Sequence, residues 1–266
     1  MSQQPVVVRR RILDDRQWLE AMGIDPFWIE SDAGAAAASV SSAAPSKSDA
    51  VAAIRQTGQR PEIPAVTRKA HAFMQRADDR EWGALEAAIR DCRACTLCKD
   101  RKQAVPGTGD RQARWLMVGE APGAEEDAAG LPFVGKAGKL LDAMLAALEL
   151  NRQTGVYIAN AVKCRPPENR TPESAEIDSC NHFLNQQIEW IQPEVIVVLG
   201  RPAAYAVLDR EASIQSLRGA IHYRQQGERQ IPVVVTYHPA YLLRQPEEKW
   251  KAWQDLLLAQ SVLAAN

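Results

Sequence analysis

The stretch RWLMVGEAPG, residues 114–123, runs a short apolar segment directly into a glycine-rich turn that carries one carboxylate. Its segment WLMVG lacks the regular polar alternation of a half-exposed strand, so it predicts a strand covered on both faces. Three similar apolar runs follow in the chain: VYIANAV (156–162), VIVVLG (195–200) and IPVVVTYH (231–238). Strands of this kind are typical of a mostly parallel sheet.

Segments with helical periodicity separate these strands: GKAGKLLDAMLAALEL, TPESAEIDSCNHFLNQQIEWIQ and RPAAYAVL. The second opens on Thr-Pro with Glu173 in its first turn, which is typical of a helix start. Alternating strands and helices predict an α/β fold, a three-layer α/β/α sandwich with a mostly parallel central sheet. Ligands of such folds bind beyond the carboxyl ends of the strands, where the Gly119–Glu120 turn, Asn160 and His238 all fall.

Length and composition indicate a globular protein with a full core, since 46% of the 266 residues are hydrophobic and 24% are charged. The formal net charge is −1, so a nucleic-acid partner would have to be met by a local basic stripe. The first arginines follow only three apolar residues, unlike a secretory signal, and no run approaches the roughly 18 apolar residues of a membrane span. We therefore expect a cytoplasmic protein with no membrane partner and with reduced cysteines.

The chain divides into three predicted parts. An Ala/Ser-rich composition places a flexible linker at residues 33–83, because such a segment cannot bury enough apolar surface to offset its ordering entropy. The main domain then covers residues 84–266. The N-terminal segment, residues 1–32, carries a helix-like apolar stripe, and two interpretations of it stay open: a helix docked on the main domain, or a tethered peptide that binds a protein partner through residues 1–30.

The cysteines form a pattern of their own. Cys92 and Cys95 make a C-x-x-C pair, Cys164 follows the second predicted strand, and Cys180 lies in the next helix. Two close and two distant thiolates can close a four-sulfur site suited to zinc or to an iron–sulfur cluster. Spacing does not choose between these two, and scattered core cysteines remain the alternative. Cys98 would then be a spare thiol or a substitute ligand.

The segment GLPFVGKA, residues 130–137, nearly matches a phosphate-binding loop. Ala137 stands where the magnesium-binding hydroxyl belongs, and the residues ahead of the segment do not read as a strand. A nucleoside triphosphatase is therefore a poor interpretation. The start of the following helix could still hold a single DNA phosphate, with Lys136 nearby.

Taken together, GEAPGAEED, GLPFVGKAG, YIANAVKCRPPENR, HPAYLLR and the cysteines closely resemble the iron–sulfur uracil-DNA glycosylases called family 4. The resemblance covers about residues 84–260 in the right order, and nothing in it covers residues 1–80. It implies a monofunctional enzyme of base excision repair that flips uracil out of DNA and hydrolyses its bond to deoxyribose, acting as a nucleoid-associated monomer. It also implies a structural 4Fe-4S cluster, with these ligands: Cys92, Cys95, Cys164 and Cys180.

The resemblance also assigns chemistry to single residues. Glu120 holds or deprotonates the attacking water, and its charge favours the cationic sugar. His238 donates as a neutral imidazole to uracil O2, and Asn169 supports the site. One amide, that of Asn160, reads the Watson–Crick edge and rejects cytosine. Phe133 stacks on the flipped base. The pocket wall includes two further residues, Ala121 and Glu126, the second near the place of a thymine methyl.

Without the family, each of these residues has a plainer interpretation: Asn160 as a turn residue, Phe133 as core, His238 as structural. On the DNA side, the resemblance predicts a wedge and a set of phosphate contacts. The wedge contains Tyr241, Leu242 and Leu243; the phosphate contacts that the resemblance implies are Arg165, Arg170 and Arg244, and the helix start described above adds Lys136. Two other functions remain open, a catalytically silent iron–sulfur module that binds DNA or a partner, and a zinc protein with an unrelated α/β function.

Overall fold

The computed structural model describes residues 76–265, so the predictions for the N-terminal segment and most of the linker lie outside the described residues. Helix α1, Asp79–Asp91, begins ahead of the boundary predicted at residue 84. The reason is local: the Asp78 carboxylate accepts from the Glu81 N–H and the Glu81 carboxylate accepts from the Asp78 N–H, both at 2.8 Å. This reciprocal cap satisfies two otherwise unpaired amide groups.

The secondary structure alternates as the sequence predicts. The strands are β1 (Thr108–Gly109), β2 (Trp115–Gly119), β3 (Val156–Asn160), β4 (Val195–Leu199), β5 (Ile221–Gln226) and β6 (Arg229–Thr236). The helices after α1 are α2 (Ala124–Ala129), α3 (Lys136–Ala147), α4 (Ser174–Ile191), α5 (Arg201–Leu208), α6 (Ile214–Leu217), α7 (Pro239–Arg244) and α8 (Lys249–Ala265). Short 3₁₀ turns lie at Thr96–Cys98, Pro167–Asn169 and Pro246–Glu248. Among the described residues, no helix is long and apolar enough to cross a membrane.

The six strands form one sheet in the order β1-β3-β2-β4-β6-β5. The four central strands are parallel, and both edge strands run antiparallel to their neighbours. The prediction of a mostly parallel sheet is therefore confirmed. The sequence did not predict the edges, because β1 has only two residues and β5, IHYRQQ, is polar and half exposed.

Helices cover both faces of the sheet, which makes the predicted three layers. In β2, Leu116 and Val118 belong to the core shared with α1, α4 and α5, whereas Trp115 and Met117 belong to the core shared with α3, α7 and α8. All four side chains are at most 5% exposed. A strand buried on both sides has no polar face, which explains why the segment WLMVG is continuously apolar.

The register brings the predicted site residues to one edge of the sheet. Gly119 pairs with Asn160 at the carboxyl ends of β2 and β3. His238 lies just beyond the end of β6, and an added Cβ on Gly200, after β4, would lie 3.4 Å from the His238 Cβ. Parallel strands end at the same edge, so these positions converge although they are far apart in the chain.

Candidate active site

The centre of the site is the corner where Gly119 faces Asn160 and Phe133. A Cβ atom on Gly119 would overlap the Asn160 Oδ1 and the Phe133 ring, so only glycine permits this approach. Asn160 is 2% exposed, and within residues 76–265 its Oδ1 accepts no hydrogen bond. An unsatisfied buried amide oxygen costs roughly 1–3 kcal/mol. Such an atom is open to a hydrogen-bond donor from a water molecule or a bound ligand.

Phe133 sits in a tightly held loop. Its φ of 55° is in the left-handed region that a bulky residue rarely adopts. Arg152 donates to the Phe133 carbonyl, and the Glu126 carboxylate accepts from the Val134 and Gly135 N–H groups at 2.9 and 3.1 Å. The predicted pocket residue Glu126 is thus engaged by backbone amides. It thereby holds the backbone directly after Phe133 in place.

His238 stacks on Phe133, with ring centroids 5.5 Å apart and planes inclined by 27°. The Ala240 N–H donates to its Nδ1 at 3.1 Å, so this nitrogen is an acceptor and the ring proton belongs on Nε2. Burial and, to a smaller extent, the Arg244 cation lower the pKa of His238, and the Glu126 carboxylate opposes them; the resulting pKa is about 4. The imidazole is therefore neutral at neutral pH and presents an Nε2–H donor.

Glu120 occupies the turn directly after β2. Burial raises the pKa of its carboxyl group, and a hydrogen bond from the Thr171 hydroxyl lowers it in part. The Val162 N–H donates to the Glu120 carbonyl at 3.2 Å, which binds this turn to the segment after β3. The neighbouring pocket residue, Ala121, is partly buried against the core. The result is a carboxylate held beside the Asn160 corner in a poorly solvated place.

The basic residues of the CRPPENR segment make internal contacts. Arg170 forms a two-point pair with the Glu176 carboxylate, at 2.7 and 2.8 Å, and Glu176 is 5% exposed. Arg170 in turn lowers the pKa of Glu176. Arg165 donates to the Asn169 Oδ1 at 2.7 Å. Arg170, predicted as a phosphate contact, thus pairs with a buried carboxylate, because an unpaired charge there would be costly.

The predicted wedge lies on helix α7, and its two leucines differ. Leu242 is 1% exposed and belongs to the hydrophobic core, whereas Leu243 is 43% exposed. The expectation that both leucines face DNA therefore needs correction, since neighbouring helical positions point in different directions and Leu242 faces the sheet. The cations Arg244 and Lys136 are exposed, the second in the first turn of α3.

All five cysteines are free thiols, and they line a single cavity together with apolar residues such as Ile89 and Phe183. Burial raises the pKa of Cys95, of Cys164 and, to about 11, of Cys180. Arg101 Nη1 donates to the Cys164 sulfur at 2.8 Å. Across residues 76–265, no three metal-ligating side chains stand in a ready coordination arrangement.

The donor set nevertheless fits a metal group bound by thiolates. Convergence of five sulfurs from three segments in an apolar cavity is what zinc or an iron–sulfur cluster requires. Buried thiols with raised pKa values ionise only when a cation compensates their charge. Cys98 lines the same cavity as the four predicted ligands, so burial does not separate it from them.

Two residues of the site were missed by sequence reasoning. Thr171 contacts the Glu120 carboxyl, and its only signal was its place next to the motif ENR. Arg152 holds the Phe133 carbonyl from a loop before β3, and no pattern in the sequence singles it out.

The fold and the site together define a class of protein. It is an α/β/α protein that places an amide, an aromatic ring, a neutral imidazole and a carboxylate near the carboxyl ends of its parallel strands. Residues 106–257 match the family model of the uracil DNA glycosylase superfamily. The chain belongs to this superfamily.

Several relatives support the assignment. The chain is 44% identical to the type-4 uracil-DNA glycosylase of Archaeoglobus fulgidus over 163 residues, which are 60% of this chain and 81% of that protein. It is 46% identical to the type-4 enzyme of Thermotoga maritima over 157 residues, 59% of this chain and 80% of the relative. A type-5 uracil-DNA glycosylase of Thermus thermophilus is 32% identical over 191 residues, 58% of this chain and 85% of the relative.

Proposed function

We propose that the protein removes uracil from DNA by hydrolysing the N-glycosidic bond, which leaves an abasic site. The observation that carries this proposal is the buried, unsatisfied amide oxygen of Asn160 beside the stacked rings of Phe133 and His238. Four type-4 uracil-DNA glycosylases that are 40–46% identical to this chain support it.

Recognition begins when the base leaves the stack, at a cost of a few kcal/mol. Phe133 offers its ring face to the flipped base, for about 1–3 kcal/mol. The Asn160 amide then accepts from uracil N3–H and donates to O4. Cytosine presents the opposite donor and acceptor pattern, so binding cytosine would leave buried polar groups unpaired on both partners. The site thereby selects uracil by hydrogen bonding as well as by shape.

The chemical step uses the two remaining groups. The His238 Nε2–H donates to uracil O2 as negative charge develops there, and the neutral imidazole does so without first taking up a proton. The bond from C1′ to the base nitrogen breaks, and the oxygen of a water molecule bonds to C1′. Glu120 accepts the proton of that water, and its negative charge favours the cationic sugar. Asn169 supports this arrangement through Arg165.

The DNA-facing surface combines an apolar wedge with cations. Leu243 fills the gap that the flipped nucleotide leaves in the duplex. Three cations contact backbone phosphates and set the register of the protein on the strand: Lys136, Arg165 and Arg244. Arg170 contributes by holding the CRPPENR segment on α4 through Glu176.

The metal group is a 4Fe-4S cluster held by Cys92, Cys95, Cys164 and Cys180. When bound, it supplies a covalent link between the segment after α1, the end of β3 and helix α4, and the hydrolysis requires no electron transfer. Iron, sulfide and zinc content of the purified protein, read with its visible absorbance, tests this. Zinc without sulfide would contradict it. Cys180→Ser removes a proposed ligand and Cys98→Ser removes the proposed spare thiol. Comparison of their iron and sulfide contents distinguishes the two roles.

The setting of the enzyme is also proposed. It acts as a monomer in the cytoplasm, associated with the nucleoid, and residues 1–30 bind a protein partner. Removal of residues 1–75 is expected to leave excision intact while abolishing capture of that partner, which a pull-down with each chain would reveal.

Incubation with oligonucleotides that contain either uracil or thymine, followed by alkali, tests the function. Strand breakage is expected at uracil alone and without added metal. Glu120→Gln is expected to lose about 10²- to 10⁴-fold in single-turnover rate, because the water loses its base, while it keeps most of the affinity for DNA. Binding without breakage by the unaltered protein would instead favour a catalytically silent module.

A further inference from the structure

One buried cation near the site has no part in the mechanism above. Lys163, in the motif NAVKC, is 1% exposed. Its Nζ donates to the Asn160 carbonyl at 2.9 Å and to the Gln187 Oε1 at 2.7 Å. Burying an ammonium group is expensive even when neutral oxygens satisfy it, and a methionine would fill the same space without that cost. The position therefore calls for an explanation other than packing.

The second acceptor is itself anchored. Gln187, fully buried on α4, donates from Nε2 to the Pro106 carbonyl at 2.8 Å and to the Tyr157 hydroxyl at 3.4 Å. Its amide is therefore fixed from both ends. Lys163 consequently ties the carbonyl of Asn160 to a rigid point on the helix behind the sheet.

The same lysine stands between the Asn160 corner and the cysteine cavity. Its backbone N–H approaches the Cys180 sulfur at 3.4 Å, and the next residue is Cys164. Asn160 is the last residue of β3: the Ala161 N–H still donates to the Gly119 carbonyl on the β2 side, but the pairing with β1 ends at Ile158. The carbonyl of Asn160 therefore takes its hydrogen bond from a side chain, which helps to hold one direction of the residue. The Lys163 ammonium supplies that restraint on the carbonyl of the same residue.

We propose that Lys163 is a positioning residue for base recognition: by binding the Asn160 carbonyl and Gln187, it fixes the direction of the amide that reads uracil. The proposal rests on the proposed function and deepens it. Lys163 touches neither the base nor the water, and it acts through Asn160.

The experiment compares two affinities in Lys163→Met and in the unaltered protein. Free uracil as a competitive inhibitor reports on base reading, while an oligonucleotide with an abasic-site analogue reports on DNA binding without a base. The inhibition constant for uracil is expected to rise about tenfold or more, the equivalent of one charge-assisted hydrogen bond, with unchanged affinity for the abasic analogue. Excision should fall by a similar factor.

Arg224→Met is the matched control. Arg224 also donates to a backbone carbonyl, that of Val207, and to an amide oxygen of α4, that of Asn185, but on the far edge of the sheet. It is expected to lower the melting temperature without changing either affinity. Equal weakening of both affinities in Lys163→Met, or no weakening, would overturn the proposal.

A second variant guards against a failure of Lys163→Met to fold. Gln187→Met keeps the lysine and removes one of its acceptors, so a smaller rise in the uracil inhibition constant is expected, again without change for the abasic analogue. An unchanged constant in this variant would count against the proposal. Uracil excision by the unaltered protein is measured alongside, so failure of the function itself is seen separately.

Discussion

At the scale of single residues, specificity depends on one amide with an unsatisfied oxygen. Asn160 is buried at the end of β3, and its amide oxygen occupies space that a Cβ on Gly119 would fill. Its donor and acceptor are therefore fixed relative to the base. A change in either of them should alter which base is accepted.

Asn160→Asp tests this directly. An ionised carboxylate only accepts hydrogen bonds, so it repels uracil O4 and accepts a hydrogen bond from the cytosine amino group. Excision of uracil is expected to fall about a hundredfold, because the carboxylate keeps the hydrogen bond from N3–H but loses the donation to O4 and repels that oxygen, at a cost of about 2.7 kcal/mol in all, and the preference for uracil over cytosine should relax. Alkaline cleavage of matched uracil and cytosine oligonucleotides measures both. Unchanged selectivity would dismiss the base-reading role.

The acid side of the pH profile should belong to Glu120. Burial raises the pKa of this carboxyl group, and the Thr171 hydroxyl favours its ionised form. Excision needs the ionised form, so the rate should fall as the pH drops through this raised pKa. Thr171→Val removes the stabilising hydrogen bond and should move the fall to higher pH, while Thr171→Ser should keep it in place. An identical profile for both variants would argue that Thr171 does not act on Glu120.

Part of this site follows from the sequence and part does not. The positions of Asn160 and His238 follow from the rule that polar residues at the ends of buried parallel strands converge. Arg152 and Lys163 could not be predicted, because their contacts depend on the packing of loops and on the rotamers of long side chains. The sequence likewise does not predict which of the two leucines on α7 is exposed, because the short motif HPAYLLR shows no helical repeat.

At the scale of elements, the loop that carries Phe133 is the most constrained part of the site. The first turn of α3 approaches it so closely that a Cβ on Gly138 would overlap the Phe133 carbonyl. Gly138→Ala should therefore push the loop away from the stacking position. We expect at least a tenfold loss in excision and about 1–3 kcal/mol in the free energy of unfolding.

Gly83→Ala is the matched control for this prediction. Gly83 lies in the middle of α1 on its exposed face, and no other atom lies within 4 Å of an added Cβ. The alanine should raise the free energy of unfolding by about 0.5–1 kcal/mol and leave excision unchanged. Denaturant titration and single-turnover assays on both variants measure this. Full activity in Gly138→Ala would show that the loop tolerates displacement.

The long elements were predictable because their patterns are strong. All four predicted strands and all three predicted helices have bounds within a few residues of those observed, and buried β-branched runs explain the accuracy for the strands. Short elements were not predictable. Helix α2 and the edge strand β5 have little apolar content of their own, and their conformation depends on the neighbours against which they pack.

At the scale of the whole molecule, a net charge of −1 means that DNA attraction must come from a few exposed cations. Excision under subsaturating conditions should fall as salt rises, because each phosphate contact releases counterions. Lys136→Gln and Arg244→Gln should each reduce the log–log salt slope of binding by about one. Arg229→Gln, at the opposite end of the sheet where β6 begins, should leave the slope unchanged. Equal slopes in all three variants would remove these cations from the interface.

The strand order has a consequence for how the protein is made. Strands β1 to β4 can pair with one another before β6 exists, and β6 then adds beside β4. During synthesis the edge of β4 therefore stays exposed until β6 has been made. In that interval the nascent chain can form incorrect strand pairs. Asn160 is also synthesised long before His238. A chain that ends before His238 would carry Asn160 without the imidazole that helps the base depart, so such a truncation is expected to yield inert protein that is prone to aggregation.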